Sequence, residues 1–219
     1  MTTPKAKLAG LALIAALCAG FTLGLTAPGW AGWDERESKA QNNLGFMYQY
    51  GKGVPQDDAE AVKWYRKAAE QGVAEDQYNL GVIYKFGLGV PQDYAKALQW
   101  FRKAAEQGYA KAQYGLGLMY GKGKGVPQDY AKAVKWFRKD AEQGHADAQF
   151  LLGLMYGEGR GVPQDSVQAH IWYNLAASRY PPGEDRDQAV NNRDIVAKGM
   201  TPAQISEAQK LAREWKPKK

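Results

Sequence analysis

The sequence predicts an all-α solenoid, and three features carry that expectation. The first is a repeat. The stretch LGFMYQYGKGVPQDDAEAVKWYRKAAEQG from Leu44 returns from Leu80, from Leu116 and, drifting after Gln164, from Leu152, always with a step of 36 residues. Gly45, Gly81, Gly117 and Gly153 stand in register, as do Pro55, Pro91, Pro127 and Pro163, and Trp64, Trp100, Trp136 and Trp172. A fixed period of this size marks stacked units that bury their apolar faces only against neighbours. The second is helical spacing of the apolar residues, twice in each unit. The third is the Gly and Pro punctuation between the two runs.

Four units follow from this period, at 38–73, 74–109, 110–145 and 146–180. The first helix of each, helix A, is read as Ala40–Tyr50 in the first copy, with Ala40, Leu44, Met47 and Tyr48 on one face. Gly45 lies inside it. A mid-helix glycine costs about 1 kcal/mol relative to alanine, so four in register predict the close approach of another helix backbone. Gly51-Lys52-Gly53-Val54-Pro55 ends the helix and turns the chain. Asp57 stands where an N-cap belongs, with Glu60 three residues on as a capping-box partner; Asp93, Asp129 and Asp165 repeat the cap. Helix B carries Ala61, Trp64, Tyr65, Ala68 and Ala69 as a stripe of small against large residues, and Gly72 closes it. The connections are short, so adjacent helices run antiparallel.

The segment 181–219 reads as a helical cap. Pro181-Pro182-Gly183 stops the array, and two helices follow. One spans Glu184–Lys198. The other starts at Thr201, Pro202 and Gln204, ends near Trp215, and has Ile205, Ala208, Leu211, Ala212 and Trp215 as its apolar face. An open solenoid end needs such a pair to stay soluble.

Residues 1–31 read as a signal peptide. Lys5 and Lys7 are its basic start, Leu8 to Leu25 is uncharged and apolar, and Gly29-Trp30-Ala31 offers small residues for a cut ahead of Gly32. A cut after Ala27 is disfavoured by Pro28. Gly10, Gly20 and Gly24 interrupt the run, so cleavage is preferred over the alternative, an uncleaved inner-membrane anchor at 8–25. Cys18, the sole cysteine, follows Leu17, whereas a lipoprotein cut wants a small residue there. The mature chain then has no thiol, which excludes disulfides and cysteine metal sites and suits an oxidising compartment. The expected location is the periplasm or outside the cell. No membrane insertion is expected after cleavage, and the expected state is a monomer.

Charge excludes one class of partner. The net charge is +6, and without Lys5 and Lys7 it is 27 basic against 23 acidic residues, or +4. The basic residues are spread through the repeats, apart from the tail Lys216-Pro217-Lys218-Lys219, which reads as a solvated end. No nucleic-acid footprint is present.

The repeated residues resemble the Sel1-like repeat family, relatives of the tetratricopeptide repeats. The resemblance rests on Leu116-Gly117-Leu118-Met119-Tyr120, Gly123-Lys124-Gly125-Val126 and Trp136 onward, with their equivalents in the other copies, and covers residues 38 to about 178. The terminal MTPAQISEAQKLAREW is similar to the closing helix of bacterial members. The resemblance implies a right-handed superhelix that acts as a protein-interaction scaffold in assembly or signalling, with exported members linked to envelope functions and host contact. Cysteine-rich relatives include penicillin-binding or β-lactamase-like proteins stapled by cysteine pairs. This chain has no such pairs, so that activity does not carry over.

Little in the sequence points to chemistry. His145 sits at the loop position of Val73 and Tyr109 and reads as exposed; His170 takes the place of Val62, Leu98 and Val134 and reads as a packed neutral histidine. No nucleophile elbow, P-loop, zinc-protease or dinucleotide motif is present, and the glycine loops precede Val-Pro, which suits turns. No catalytic residue, metal site or cofactor is expected. Asp140 is the internal misfit: it replaces Ala68, Ala104 and Ala176, and is expected to reach a helix end or solvent.

Comparing copies separates framework from freedom. By analogy with the family, helix A lines the concave surface. Its variable positions are Asn42/Tyr78/Tyr114/Phe150, Gln49/Lys85/Gly121/Gly157 and Tyr50/Phe86/Lys122/Glu158. Exposed aromatics anchor partners, so Asn42, Gln49, Tyr50, Tyr78, Lys85, Phe86, Tyr114, Lys122, Phe150 and Glu158 form the candidate surface for a protein or peptide. Tyr78, Tyr114 and Phe150 have a second reading, as packing between neighbouring repeats. A cell-envelope enzyme or a peptidoglycan- or glycan-binding module is the alternative function.

Overall fold

A computed structural model describes residues 31–218, with side chains from Arg36 onward. The expected leader lies outside them, save Ala31. Among the described residues there are ten helices and no strand. The helix-A set is α1 (Ala31–Tyr50), α3 (Ala74–Phe86), α5 (Ala110–Lys122) and α7 (Ala146–Glu158). The helix-B set is α2 (Asp58–Glu70), α4 (Tyr94–Glu106), α6 (Tyr130–Glu142) and α8 (Ser166–Arg179). The cap is α9 (Glu184–Ala197) and α10 (Pro202–Glu214). Each helix from α1 to α8 packs on the next in sequence, and α10 returns to pack on α8, so the molecule is an all-α solenoid closed at its C-terminal end.

Local chemistry sets the boundaries of each unit. Gly87, Gly123 and Gly159 end helix A with φ near +70°, a left-handed conformation that a side chain would strain. Asp57, Asp93, Asp129 and Asp165 then accept the backbone N–H three residues on, each at 2.9 Å. Only half of the expected capping box forms in the first copy. The Asp57 N–H donates to Tyr48 O at 2.9 Å, and the Glu60 carboxylate pairs with Lys63 instead. In the loops, the Gln92, Gln128 and Gln164 amides donate back to helix-A carbonyls at 2.7–2.8 Å.

One apolar seam runs through the array. Leu80, Leu116 and Leu152 are fully buried, with Ala97, Ala104, Ala112, Ala133 and Ala148 around them. The register glycines belong to this seam, although the partner differs from the one expected. An added Cβ would stand 2.5 Å from the Phe101 ring at Gly81 and from the Phe137 ring at Gly117, and 2.7 Å from Tyr65 at Gly45 and Tyr173 at Gly153. An aromatic ring from helix B of the same unit lies nearest each glycine, and at Gly81 the Ala97 carbonyl of that helix also stands 3.3 Å from the added Cβ. The large residue facing small ones is therefore the position after the tryptophan. Trp64, Trp100 and Trp136 are half-buried on the outer side, each with a lysine ammonium over its ring: Lys67 at 4.2 Å, Lys103 at 4.2 Å and Lys139 at 4.7 Å.

Polar clasps fix the stacking. Arg66 and Arg102 donate to the hydroxyls of Tyr84 and Tyr120 in the next unit at 2.5 and 2.9 Å, and Arg138 does the same to Tyr156. Gln107 donates to Gly72 O and Gln77 Oε1, and Gln143 donates to Gly108 O and Gln113 Oε1. The series breaks at the fourth unit, where Arg179 takes the glutamine position, so Gln149 keeps a buried oxygen without a hydrogen bond.

Two further expectations are corrected. The first helix A begins at Ala31 rather than Ala40. Ser38 secures this extra length: its hydroxyl is fully buried and bonds Ala68 O at 3.3 Å and the Asp76 carboxylate. Leu211 is 40% exposed, because Ala208 and Ala212 are the buried side of α10. The tail at Lys216, Pro217 and Lys218 is exposed, as expected, but it is also tethered. The Lys218 N–H donates to Glu142 O at 2.7 Å, its ammonium lies 2.9 Å from the Glu142 carboxylate, and Pro217 lies beside Gly144.

Candidate interaction surface

The helix-A set is the inner layer of the stack. On α3 only Glu75 and Phe86 are exposed, whereas α4 exposes Ala95, Lys96, Gln99, Arg102, Lys103 and Glu106. The ten candidate residues divide into three groups on this inner layer.

The first group packs inward. Tyr78 stacks on Phe101 at 5.4 Å between centroids and touches Tyr109 at the same distance; Tyr114 lies 5.8 Å from Phe137, and Phe150 lies 5.5 Å from Tyr173. All three are half-buried, and burial pushes the Tyr78 and Tyr114 hydroxyls up from their ordinary pKa. Asn42, their equivalent, bonds the Asp76 carboxylate. These four residues serve the framework with at least one face.

The second group is exposed and apolar. Tyr50 is 57% and Phe86 58% exposed, with Phe46 and Leu88 also open to solvent. Phe46 and Tyr50 lie ring to ring at 4.5 Å, Lys52 sits over Phe46 at 4.8 Å, and Lys85 sits over Phe86 at 4.7 Å. Gln49 accepts from the Tyr65 hydroxyl at 2.7 Å, and burial raises that hydroxyl to about 12.

The third group is charged. Lys122 and Glu158 take the places of Tyr50 and Phe86 in the later units and are exposed; Glu158 pairs with Arg160 at 2.6 Å. The surface is thus graded, with aromatic and aliphatic residues at the first two units and charges at the last two.

The sequence reading missed Phe46 and Leu88. Phe46 belongs to the series Phe46, Val82, Leu118 and Leu154, which stays apolar in every copy although none of the four is buried. That persistence outside the buried seam was the available signal. Leu88 stands where the other copies have Lys52, Lys124 and Arg160.

The two histidines fall as the sequence suggests, but Asp140 does not. His170 is buried, and desolvation lowers its pKa, with Arg193 adding to the effect. His145 is exposed and precedes α7. Asp140 is buried rather than solvated, with Oδ1 2.6 Å from His145 Nδ1. The same nitrogen also lies 3.3 Å from Asp140 O. Burial raises the Asp140 carboxyl to about 6, and His145 opposes that rise. Among the described residues no group of three or more His, Cys, Asp or Glu side chains is placed to hold a metal ion, and no helix is long and apolar enough to cross a membrane.

The repeat model known as Sel1 matches residues 38–73, 74–109, 110–145 and 146–180. The chain belongs to the Sel1 repeat family. Among solved structures it is similar to a Sel1 repeat protein from Oxalobacter formigenes, at 37% identity and a TM-score of 0.63, over 84% of this chain and 76% of that one. It is also similar to c5321, a protective antigen present in uropathogenic Escherichia coli strains and displaying an SLR fold. The identity there is 30% and the TM-score 0.62, over 97% of this chain and 54% of that one. The chain therefore spans about half the length of the Escherichia coli antigen. A comparison with curated proteins returns no match. Sel1 solenoids are generally scaffolds for protein–protein interaction rather than catalysts.

Proposed function

We propose that this Sel1 repeat protein is an exported scaffold that binds a protein or peptide partner on its helix-A layer. The observation that carries the reading is the exposure of Phe46, Tyr50, Phe86 and Leu88 at the first two units. Large apolar side chains left in water cost free energy until a partner covers them, and aromatic residues dominate binding hot spots. Lys122 and Glu158 form a charged continuation that selects partners by sign. The leader at 1–31 supports a periplasmic or secreted location, with a role in envelope assembly, signalling or host contact.

The test is photo-crosslinking from position 52, beside Phe46, in the native cell, followed by capture of the identified partner with the double variant Tyr50→Ala/Phe86→Ala. Both side chains are more than half exposed, so the melting temperature stays within the scatter of surface substitutions, about 0.5 kcal/mol. The expected result is loss of the crosslinked partner with an unchanged melt. Undiminished capture by the double variant would refute the reading. Fractionation, with mass determination of the mature N-terminus, tests export: a chain starting at Gly32 outside the cytoplasm is expected.

A further inference from the structure

The first junction of the array differs from the next two in one respect. At each junction the loop after helix A of one unit lies against the start of helix B of the unit before it. A Cβ on Gly125 or Gly161 would collide with the backbone of Tyr94 or Tyr130, and one on Gly89 would collide with Asp58. The loop therefore meets helix B the same way each time, but the side chains change. At the second junction Tyr94 lies half-buried against the core, with the Lys124 ammonium 5.3 Å from its ring centre. At the third, Tyr130 is covered by the Arg160 guanidinium at 5.9 Å. At the first, aspartate replaces tyrosine and leucine replaces the cation. What remains is a cleft of about 300 Å³ lined by Gln49, Ala61, Val62, Tyr65, Ile83 and Leu88, with Asp58 and the Gly87–Gly89 loop completing its wall.

We infer that this cleft receives an aromatic side chain of a partner polypeptide, carried next to a lysine or arginine. The occupant's chemistry is read from the protein itself, which fills the two following junctions with a tyrosine ring under a cation. Ala61, Val62 and Ile83 supply the cleft's apolar part, beside the polar Gln49 and Asp58, and suit the face of a ring. The Asp58 carboxylate is exposed and stands where the two later copies place the tyrosine that their cation covers, so it favours a ligand that brings its own positive charge. The inference rests on the scaffold reading above and names the partner feature it recognises.

The probe is the capped tetrapeptide acetyl-Gly-Tyr-Lys-Gly-amide, added at millimolar concentration to the nitrogen-15-labelled protein. The controls have Glu in place of Lys, or Ala in place of Tyr. Shifts are expected at the amides of Gln49, Val62, Gly87 and Leu88, several-fold weaker with either control. The double variant Asp58→Tyr/Leu88→Lys restores the pattern of the later junctions and is expected to melt no lower than the parent while losing the response. Asp58→Asn is expected to keep the ring response and lose the preference for Lys over Glu. An unchanged response in the double variant, or no shift at these amides, would overturn the inference. Shifts confined to Tyr50 and Phe86 would overturn the cleft and leave the scaffold reading standing. Cleft shifts that grow with protein concentration without peptide would put a second copy there, and would also overturn it.

Discussion

Asp140 shows what one exchanged side chain does inside a repeat. Its counterparts Ala68, Ala104 and Ala176 are fully buried, and so is Asp140. Burial raises its carboxyl to about 6 from an ordinary value of 3.8, so the folded chain holds this proton more tightly than the unfolded chain does. Stability is therefore highest while Asp140 is protonated and falls as pH rises from about 4 through 6. Asp140→Ala, which restores the pattern of the other copies, is expected to raise stability at pH 8 by about 1–2 kcal/mol. The gain should shrink to near zero at pH 4.5. Melts of both proteins across that range check it, and a gain that grows toward low pH would contradict the account. The sequence marked Asp140 as a misfit but not its partner. His145 lies five residues on, across a chain reversal, and helical spacing carries no information about such a contact.

Most element boundaries were readable because they have a local cause; the start of the first helix A, at Ala31 rather than Ala40, was not. The Asp caps, the glycine stops and the Thr201–Gln204 capping box are chemistry between residues close in the chain, and all are in place. Glycine inside helix A was recognised as costly, but what makes it necessary lies twenty residues away, in the Phe101 and Phe137 rings. Two glycines of α5 separate these effects. A Cβ on Gly117 would stand 2.5 Å from the Phe137 ring, whereas on Gly121 the nearest atom is Ala133 Cβ at 3.7 Å. Gly117→Ala is therefore expected to destabilise by about 1–3 kcal/mol through overpacking. Gly121→Ala is expected to stabilise by up to about 1 kcal/mol through helix propensity. Denaturant midpoints give both signs, and like signs would show that ring contact is not what selects glycine. The graded surface was half legible. Tyr50 and Phe86 stood out as variable positions, but whether Tyr78 faces solvent or Phe101 depends on how units stack, which no single repeat encodes.

For the whole molecule, the two ends of the stack are different problems. At the C-terminal end Trp172 is buried, unlike its three half-buried counterparts, because Trp215 meets it edge-on at 6.5 Å with Arg179 over the Trp215 ring at 4.6 Å. Trp215→Ala is expected to lower stability by about 2 kcal/mol, a fall of about 4–8 °C in melting temperature for a chain of this size. Leu211→Ala on the exposed side of the same helix should leave the melt nearly unchanged. Equal losses from the two variants would show that the cap acts by bulk rather than through this contact.

The way the turn between α6 and α7 holds Pro217 and Lys218 bears on how such an array changes length. Lys218 and Pro217 are fastened to the turn at Glu142 and Gly144, one full repeat upstream of the terminal pair of helices. A module added next to the terminus would carry that tether out of reach of its anchor. One inserted near the first junction would disturb none of it. Duplication can therefore lengthen this protein from the front without rebuilding its back.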